Sequence, residues 1–226
     1  MIYFDKVSKI YADDLAALKD VSFSVDPGEL ISIVGHSGAG KTTLLKLILG
    51  EEPPTKGGVF FDSTQIDSLN RKDIIDLRRR IGMIFQDYRL LPNKTAYENI
   101  TFAMEAAGRT KEEIEADAPQ VLELVGLEEK LWNFPHELSG GEKQRVAIAR
   151  AIVNQPDVII ADEPTGNLDP INAYDIIEIL KKINEMGKTV ILTTHNKGVI
   201  DALKRRVITL EDGKIVRDDK SGKYIL

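Results

Sequence analysis

The sequence predicts an α/β fold built on a mostly parallel sheet covered on both faces. Three observations carry that expectation. Short, nearly all-apolar runs recur at 30–34, 158–161 and 189–192, which is the length and composition of strands buried on both sides. Segments with helical spacing of apolar residues separate these runs. A glycine-rich stretch, Gly35-His36-Ser37-Gly38-Ala39-Gly40-Lys41-Thr42, links the first run to a helix, the strand–loop–helix order of an α/β unit.

Each element follows in order. At the N-terminus, 2–7 and 18–25 read as strands, the second with Val21, Phe23 and Val25 at period two. Pro27-Gly28 marks a turn. Residues 30–34 form a strand and 41–49 a helix. Residues 50–58, with Pro53-Pro54, form a loop. Residues 59–61 read as a strand, 73–80 as a short helix and 81–85 as another strand. From 95 to about 155 the pattern turns helical, with segments at 95–107, 111–125 and 140–153 broken at Gly108, Gly126 and residues 133–135. This reads as a helical insertion in an α/β core. Alternation resumes with a strand at 157–161, a helix at 170–186, a strand at 189–193 and a helix at 197–203. Residues 207–210 and 214–216 flank Asp212-Gly213 and predict a hairpin. The charged tail from Asp218 is expected to be loose. No internal repeat or low-complexity tract interrupts the pattern.

The chain has 226 residues, enough for one domain with a sizeable core. Its 30 Lys and Arg stand against 36 Asp and Glu, a net charge of −6. That sign argues against a phosphate backbone as a global partner, and nucleic acid is not expected, although a local basic patch is compatible with it. With no cysteine there are no disulfides, no thiol catalysis and no Cys-ligated metal. No apolar run approaches the ~18 residues of a membrane span, and the start lacks the basic head and apolar stretch of a signal peptide. The chain is therefore expected to stay in the cytosol.

Three segments carry chemistry. The stretch Gly35 to Thr42 matches G-x-x-x-x-G-K-[ST] in the strand-to-helix context that a phosphate-binding loop requires. Its glycines let backbone N–H groups turn inward, the helix N-terminus adds its dipole, Lys41 reaches β- and γ-phosphates, and the Thr42 hydroxyl ligates Mg²⁺. The run Val158-Ile159-Ile160-Ala161-Asp162-Glu163 is an apolar strand ending in two carboxylates, at the strand end where open α/β sheets bind ligands. Asp162 there can hold Mg²⁺ through water, and Glu163 can polarise an attacking water as general base. In Leu138-Ser139-Gly140-Gly141-Glu142-Lys143-Gln144-Arg145, Ser139 is a helix cap and the free N–H groups of the following turn make an anion site. Taken alone, that segment reads more simply as a capped helix.

The string in this order is, however, the signature of the ABC (ATP-binding cassette) ATPases, and nearly the whole chain resembles an ABC nucleotide-binding domain. The resemblance implies a P-loop NTPase fold of class α/β, with a mixed sheet core, an N-terminal antiparallel β-subdomain and an α-helical subdomain. Residues 1–94 and 156–226 would form the RecA-like core with the β-subdomain, and about 95–155 the helical subdomain bearing the signature. Further family positions fall in order. Tyr11 takes the place of the aromatic that stacks on adenine. Gln86 follows the strand 81–85 as the Q-loop glutamine, touching the metal or water. Asn167-Leu168-Asp169 looks like the D-loop, and His195 like the switch histidine that bonds the γ-phosphate. ATP and Mg²⁺ are the implied cofactors. Gly35, Ser37, Gly38, Gly40, Lys41, Thr42 and Thr43 would cradle the phosphates, and Thr42, Gln86 and Asp162 would serve the metal. Glu163, His195, Lys41 and Gln86 would be catalytic. In the family each signature faces the other subunit's P-loop, so Ser139, Gly140, Gly141 and Asp169 would complete the partner's site in an ATP-closed homodimer.

Asp162-Glu163-Pro164-Thr165-Gly166-Asn167-Leu168-Asp169 resembles the branch holding lipoprotein-releasing, macrolide-efflux and cell-division ATPases. The run Phe85-Gln86-Asp87-Tyr88-Arg89-Leu90-Leu91-Pro92, with Thr95-Ala96-Tyr97-Glu98-Asn99-Ile100, is most similar to the cell-division members. This implies an FtsX-like polytopic membrane subunit, placement on the inner face of the cell membrane through it, and mechanical signalling to peptidoglycan hydrolases. An exporter ATPase and an ATP-dependent dimerising scaffold with little turnover remain the alternatives. The partner is expected to dock at 78–80 and 86–91 beside Tyr97, with Arg78, Arg79 and Arg80 as a basic patch and Tyr88, Leu90 and Leu91 exposed.

Overall fold

The computed structural model describes residues 1–12, 15–220 and 222. Two sheets organise them. The first is antiparallel, in the order β2-β1-β4-β5, from β1 (Ile2–Ile10), β2 (Ala16–Val25), β4 (Lys56–Phe61) and the two-residue β5 (Thr64–Gln65). Period-two patterning buries Ile2 and Phe4 of β1 against Val21, Phe23 and Val25 of β2. Phe4 and Phe23, paired across the strands, stack with ring centroids 4.7 Å apart.

The second sheet has the order β10-β9-β3-β8-β7-β6. Its strands are β3 (Leu30–Val34), β6 (Ile81–Phe85), β7 (Val158–Asp162), β8 (Thr189–Thr194), β9 (Arg206–Glu211) and β10 (Lys214–Asp219). All neighbours are parallel except the β9–β10 hairpin, so the sheet is mixed, as the sequence implied. The helices are α1 (Lys41–Ile48), α2 (Arg71–Arg79), α3 (Ala96–Ala106), α4 (Lys111–Leu124), α5 (Gly140–Ile152), α6 (Pro170–Glu185) and α7 (Lys197–Leu203). Helices α3, α4 and α5 each open on a capping box, Thr95/Glu98, Thr110/Glu113 and Ser139/Glu142. The reciprocal bonds satisfy N–H groups that a helix start otherwise leaves unpaired.

The parallel sheet divides the apolar core. Ile159 and Ala161 of β7 point into a cluster with α3, α4, α5 and α6, where Ile100, Leu122, Val146, Ile176 and Leu180 are buried. Val158 and Ile160 point the other way, toward Leu44 and Ile48 of α1 and the antiparallel sheet. Helices α3–α5 thus share a core with α6 and one face of the sheet. Among the described residues no helix is long and apolar enough to cross a membrane.

Some details differ from the sequence expectation. Helix α2 begins earlier than read, because the Asn70 side chain caps it by accepting from the Lys72 and Asp73 N–H groups. Asp218 and Asp219 are not loose. They belong to β10, and the Arg206 guanidinium forks onto the Asp218 carboxylate at 2.7 and 2.6 Å. The rest of the expected tail lies mostly outside the described residues.

The basic patch at 78–80 is largely engaged within the fold. Arg78 donates to the carbonyls of Leu49 (2.9 Å) and Gly50 (3.3 Å). Arg80 pairs with Asp62 at 2.7 Å and Asp157 at 2.6 Å, and lies over the Phe61 ring. Tyr88, Leu90 and Leu91 are half-buried rather than exposed, and Leu90 packs on the helical core. Burial of apolar side chains contributes more than surface placement at these positions.

Candidate active site

Strand register assembles the site. Phe85 of β6 pairs with Asp162 of β7, Asp162 with Thr193 of β8, and Thr193 with Ile33 of β3. Because these strands are parallel, the residues leaving their C-terminal ends emerge side by side: Gln86, Glu163, His195 and the loop from Gly35. This is the edge at which an open α/β sheet takes its ligand.

The loop from Gly35 turns directly into α1. Gly40 stands at the N-cap with φ 108, and no side chain caps the helix. A Cβ at Gly40 would come within 2.5 Å of the Ala17 carbonyl oxygen, so only glycine fits. The uncapped N–H groups of the first turn face the cleft, a ready anion site. Lys41 is nearly buried at 9% exposure. Its ammonium donates to the carbonyls of Gly35 (2.7 Å) and His36 (3.2 Å) and stands 3.5 Å from Glu163 Oε1. An ammonium held by loop carbonyls at the mouth of an anion site is placed to meet phosphate oxygens.

The carboxylates are held by β8. Thr193 Oγ1 donates to Asp162 Oδ1 at 2.6 Å and accepts from the Glu163 N–H at 3.1 Å. That N–H also lies 3.1 Å from the Thr193 carbonyl. Glu163 has φ 47, a left-handed angle that a non-glycine residue keeps only where its surroundings enforce it. His195 Nδ1 lies 3.0 Å from the Glu163 carboxylate. Gln86 is exposed. Its amide donates to Asn167 Oδ1 at 3.2 Å, and Asn167 Nδ2 donates to the Gln86 carbonyl at 3.0 Å.

One cleft of about 610 Å³ collects most of the sequence-derived residues: Tyr11, Ser37, Gly38, Gly40, Lys41, Thr42, Thr43, Gln86, Asp162, Glu163 and His195. Gly35 lies behind it, where an added Cβ would collide with the Leu210 carbonyl. The Tyr11 hydroxyl is 3.5 Å from Thr43 Oγ1. The Thr42 hydroxyl and Asp162 carboxylate are hard oxygen donors in one cleft. Such a sparse set suits Mg²⁺, which keeps waters and shares substrate phosphates, better than a metal needing a full protein cage. Accordingly, no cluster of three or more acidic or histidine ligands occurs among the described residues.

Ser139, Gly140, Gly141 and Asp169 do not line this cleft. Ser139 caps α5 by accepting from the Glu142 N–H at 3.2 Å. Asp169 caps α6, accepting from the Ile171 and Asn172 N–H groups and from the Asn172 side chain, and these bonds hold its pKa below the usual range. Sequence reasoning missed Leu15 and Ala17, which line the cleft beside Tyr11, and Thr193, which orients both carboxylates. Thr193 carries a partial signal, because it falls in the expected strand 189–193, which the fold places beside the strand ending in Asp162. Nothing in the sequence singled out Leu15.

The chain's similarities fit this geometry. Residues 18–166 match the ABC transporter family. The cell division ATP-binding protein FtsE of Bacillus subtilis (strain 168) is 47% identical over 99% of this chain and 98% of its own length. FtsE of Escherichia coli (strain K12) is 46% identical over 95% and 97%. Among solved structures, the ATP-binding cassette MJ0796, a dimer in a post-hydrolysis state bound to ADP and Pi, has a TM-score of 0.87 at 37% identity, covering 99% of this chain and 100% of that one. CbiO1 from Clostridium perfringens, part of the ABC transporter complex cbiONQ, has a TM-score of 0.90 at 31% identity, covering 97% and 88%.

Proposed function

The chain belongs to the ABC transporter family of ATP-binding subunits and is an ATPase, and from that premise we propose that it drives a membrane complex of bacterial cell division. The observation that carries the catalytic part is the shared cleft of Lys41, Glu163, His195 and Gln86. There Glu163 takes a proton from water as the water oxygen attacks the γ-phosphorus and the bond to ADP breaks. Lys41 neutralises charge on the phosphoryl oxygens, and His195 holds Glu163 and the γ-phosphate together. Thr42, Asp162 and Gln86 would hold Mg²⁺, which would supply charge neutralisation on the phosphates.

Ser139, Gly140, Gly141 and Asp169 stand outside their own cleft, which supports a role at the partner's. ATP then closes a homodimer with two sites, each built from both subunits. Hydrolysis removes the capped phosphate, and the dimer loosens.

The coupled task lies in a membrane partner of the FtsX type, which places the chain on the inner face of the membrane. Its cell-division relatives support this over an exporter's ATPase or a scaffold with little turnover. The docking position keeps Arg78 and Arg79 of the sequence expectation and leaves out 86–91. A groove of about 410 Å³ runs along β6 between α2 and the ends of α3 and α5, lined by Ile75, Arg79, Met83, Ala103, Ala106 and Asn154. Its apolar floor and basic rim suit a short amphipathic helix carrying an acidic residue.

Co-expression with an FtsX-type subunit tests the reading. Arg79→Glu with Ala106→Glu should abolish co-purification while sparing ATP binding, and the intact complex should release phosphate faster than the free chain. Unchanged association would sink the groove, and equal rates would sink the coupling.

A further inference from the structure

The loop after Gln86 holds an unusual backbone. Tyr88 and Arg89 are consecutive non-glycine residues in the left-handed region, with φ 61 and 48. L-residues avoid that region because Cβ crowds the following carbonyl. A pair of them persists only where surrounding bonds enforce it.

Those bonds come from Arg150. Its Nη1 donates to the Arg89 carbonyl at 2.6 Å and its Nη2 to the Tyr88 carbonyl at 2.8 Å. The planar guanidinium fork matches two adjacent carbonyls as an ammonium cannot. Arg150 is half-buried, burial draws its pKa down, and among the described residues no carboxylate pairs with it. The Arg89 side chain stacks on the Phe85 ring, 3.8 Å from its centroid. The Tyr88 hydroxyl lies against Gly140, 3.2 Å from where a Cβ would stand. The loop is therefore tied at one end to Asn167 through Gln86 and at the other to α5.

Helix α5 carries Ser139 at its N-cap and Arg150 in its last turn. One rigid element thus bears the signature at one end and the clamp at the other. We infer that Arg150 is a positioning residue for Gln86: by clamping the Tyr88–Arg89 turn to α5, it fixes where Gln86 stands in the ATP cleft. This rests on the reading of Gln86 as a residue of the hydrolytic site.

The test is a double-mutant cycle on the full chain, measuring kcat, equilibrium ATP binding and thermal midpoint for Arg150→Lys, Arg150→Gln, Gln86→Ala and the doubles. Either Arg150 variant should lose about ten-fold in kcat, since small misplacements cost that much or more, with ATP binding unchanged. In the Gln86→Ala background the same substitutions should have no further effect. An equal loss in both backgrounds, or no loss at all, would overturn the inference. Failure of both Arg150 variants to fold would also overturn it, since the role would then be structural. Wild-type kcat in Gln86→Ala would instead remove the reading of Gln86 on which it rests.

Discussion

His195 and Glu163 face each other at the end of the parallel sheet, the imidazole Nδ1 3.0 Å from the carboxylate. The approach is set by register rather than by local sequence. Glu163 leaves β7 with its N–H held on Thr193 of β8, and His195 leaves β8 two residues beyond Thr193. The carboxylate is 15% exposed while the imidazole is 66% exposed. The carboxylate is therefore sheltered while the imidazole stands open to solvent. Lys41 approaches from the third side at 3.5 Å.

That arrangement makes Glu163→Gln the most informative substitution. The amide keeps the size and the contacts to His195 and Lys41 but cannot accept the water's proton. Turnover should fall by about 10²–10⁴-fold, the usual contribution of a general base, while ATP binding persists. With Mg-ATP the variant should elute as a dimer on gel filtration. A monomer throughout would sink the dimer, and full turnover would sink the assignment of the base.

Asp162→Asn probes the metal separately. Thr193 Oγ1 donates to Asp162 Oδ1 at 2.6 Å, so an asparagine with its oxygen turned the same way keeps that bond and loses only the charge. The Mg²⁺ concentration for half-maximal turnover should rise about ten-fold or more, in keeping with the loss of a ligating or water-holding carboxylate. Chelation with EDTA should stop hydrolysis in both chains. An unchanged Mg²⁺ requirement would remove Asp162 from the metal site.

Much of this site was legible because its chemistry is local. The P-loop, the carboxylates after 158–161 and the signature are contiguous strings whose residue types carry their own reason. The elements that hold them are not contiguous. Arg150 reaches Tyr88 and Arg89 across 62 and 61 residues, and Asn167 reaches Gln86 across 81. Tyr88 and Arg89 gave no sign of left-handed backbone, since only glycine or asparagine advertises it. The same limit hid the partners of the patch at 78–80. The three adjacent arginines are exposed, and Asp62 and Asp157 arrive from elsewhere in the chain to pair with Arg80.

Gly141→Ala tests the signature against the D-loop. A Cβ at Gly141 would collide with the Asn172 side chain, whose amide donates to Asp169 Oδ2 at 2.5 Å. Asn172 must shift, and Asp169, the cap of α6, loses a donor. Both groups belong to the proposed dimer contact, so the alanine chain should lose about ten-fold or more in turnover. Its binding of ATP as a monomer should stay within about two-fold, because none of these atoms lines its own cleft. Weakened monomer binding of the same size would mean that the damage is general.

Glu52 supplies a pH test of the support behind Tyr11. Its carboxylate accepts from Lys46 at 3.1 Å and pairs with Lys9 at 3.2 Å. The Tyr11 hydroxyl first, and then Lys46, draw its pKa from 4.5 to about 2. A carboxyl whose folded pKa lies below its unfolded value adds stability above the unfolded pKa and loses it as pH falls toward the folded one. Solvent reaches this group, at 25% exposure, so its contribution at neutral pH should stay under about 1 kcal/mol. Glu52→Gln should therefore unfold at slightly lower urea than the wild-type chain at neutral pH. That gap should narrow as pH is lowered from 4.5 toward 2, because the glutamine cannot titrate. A gap of constant size across that range would show that the glutamate acts through packing rather than charge.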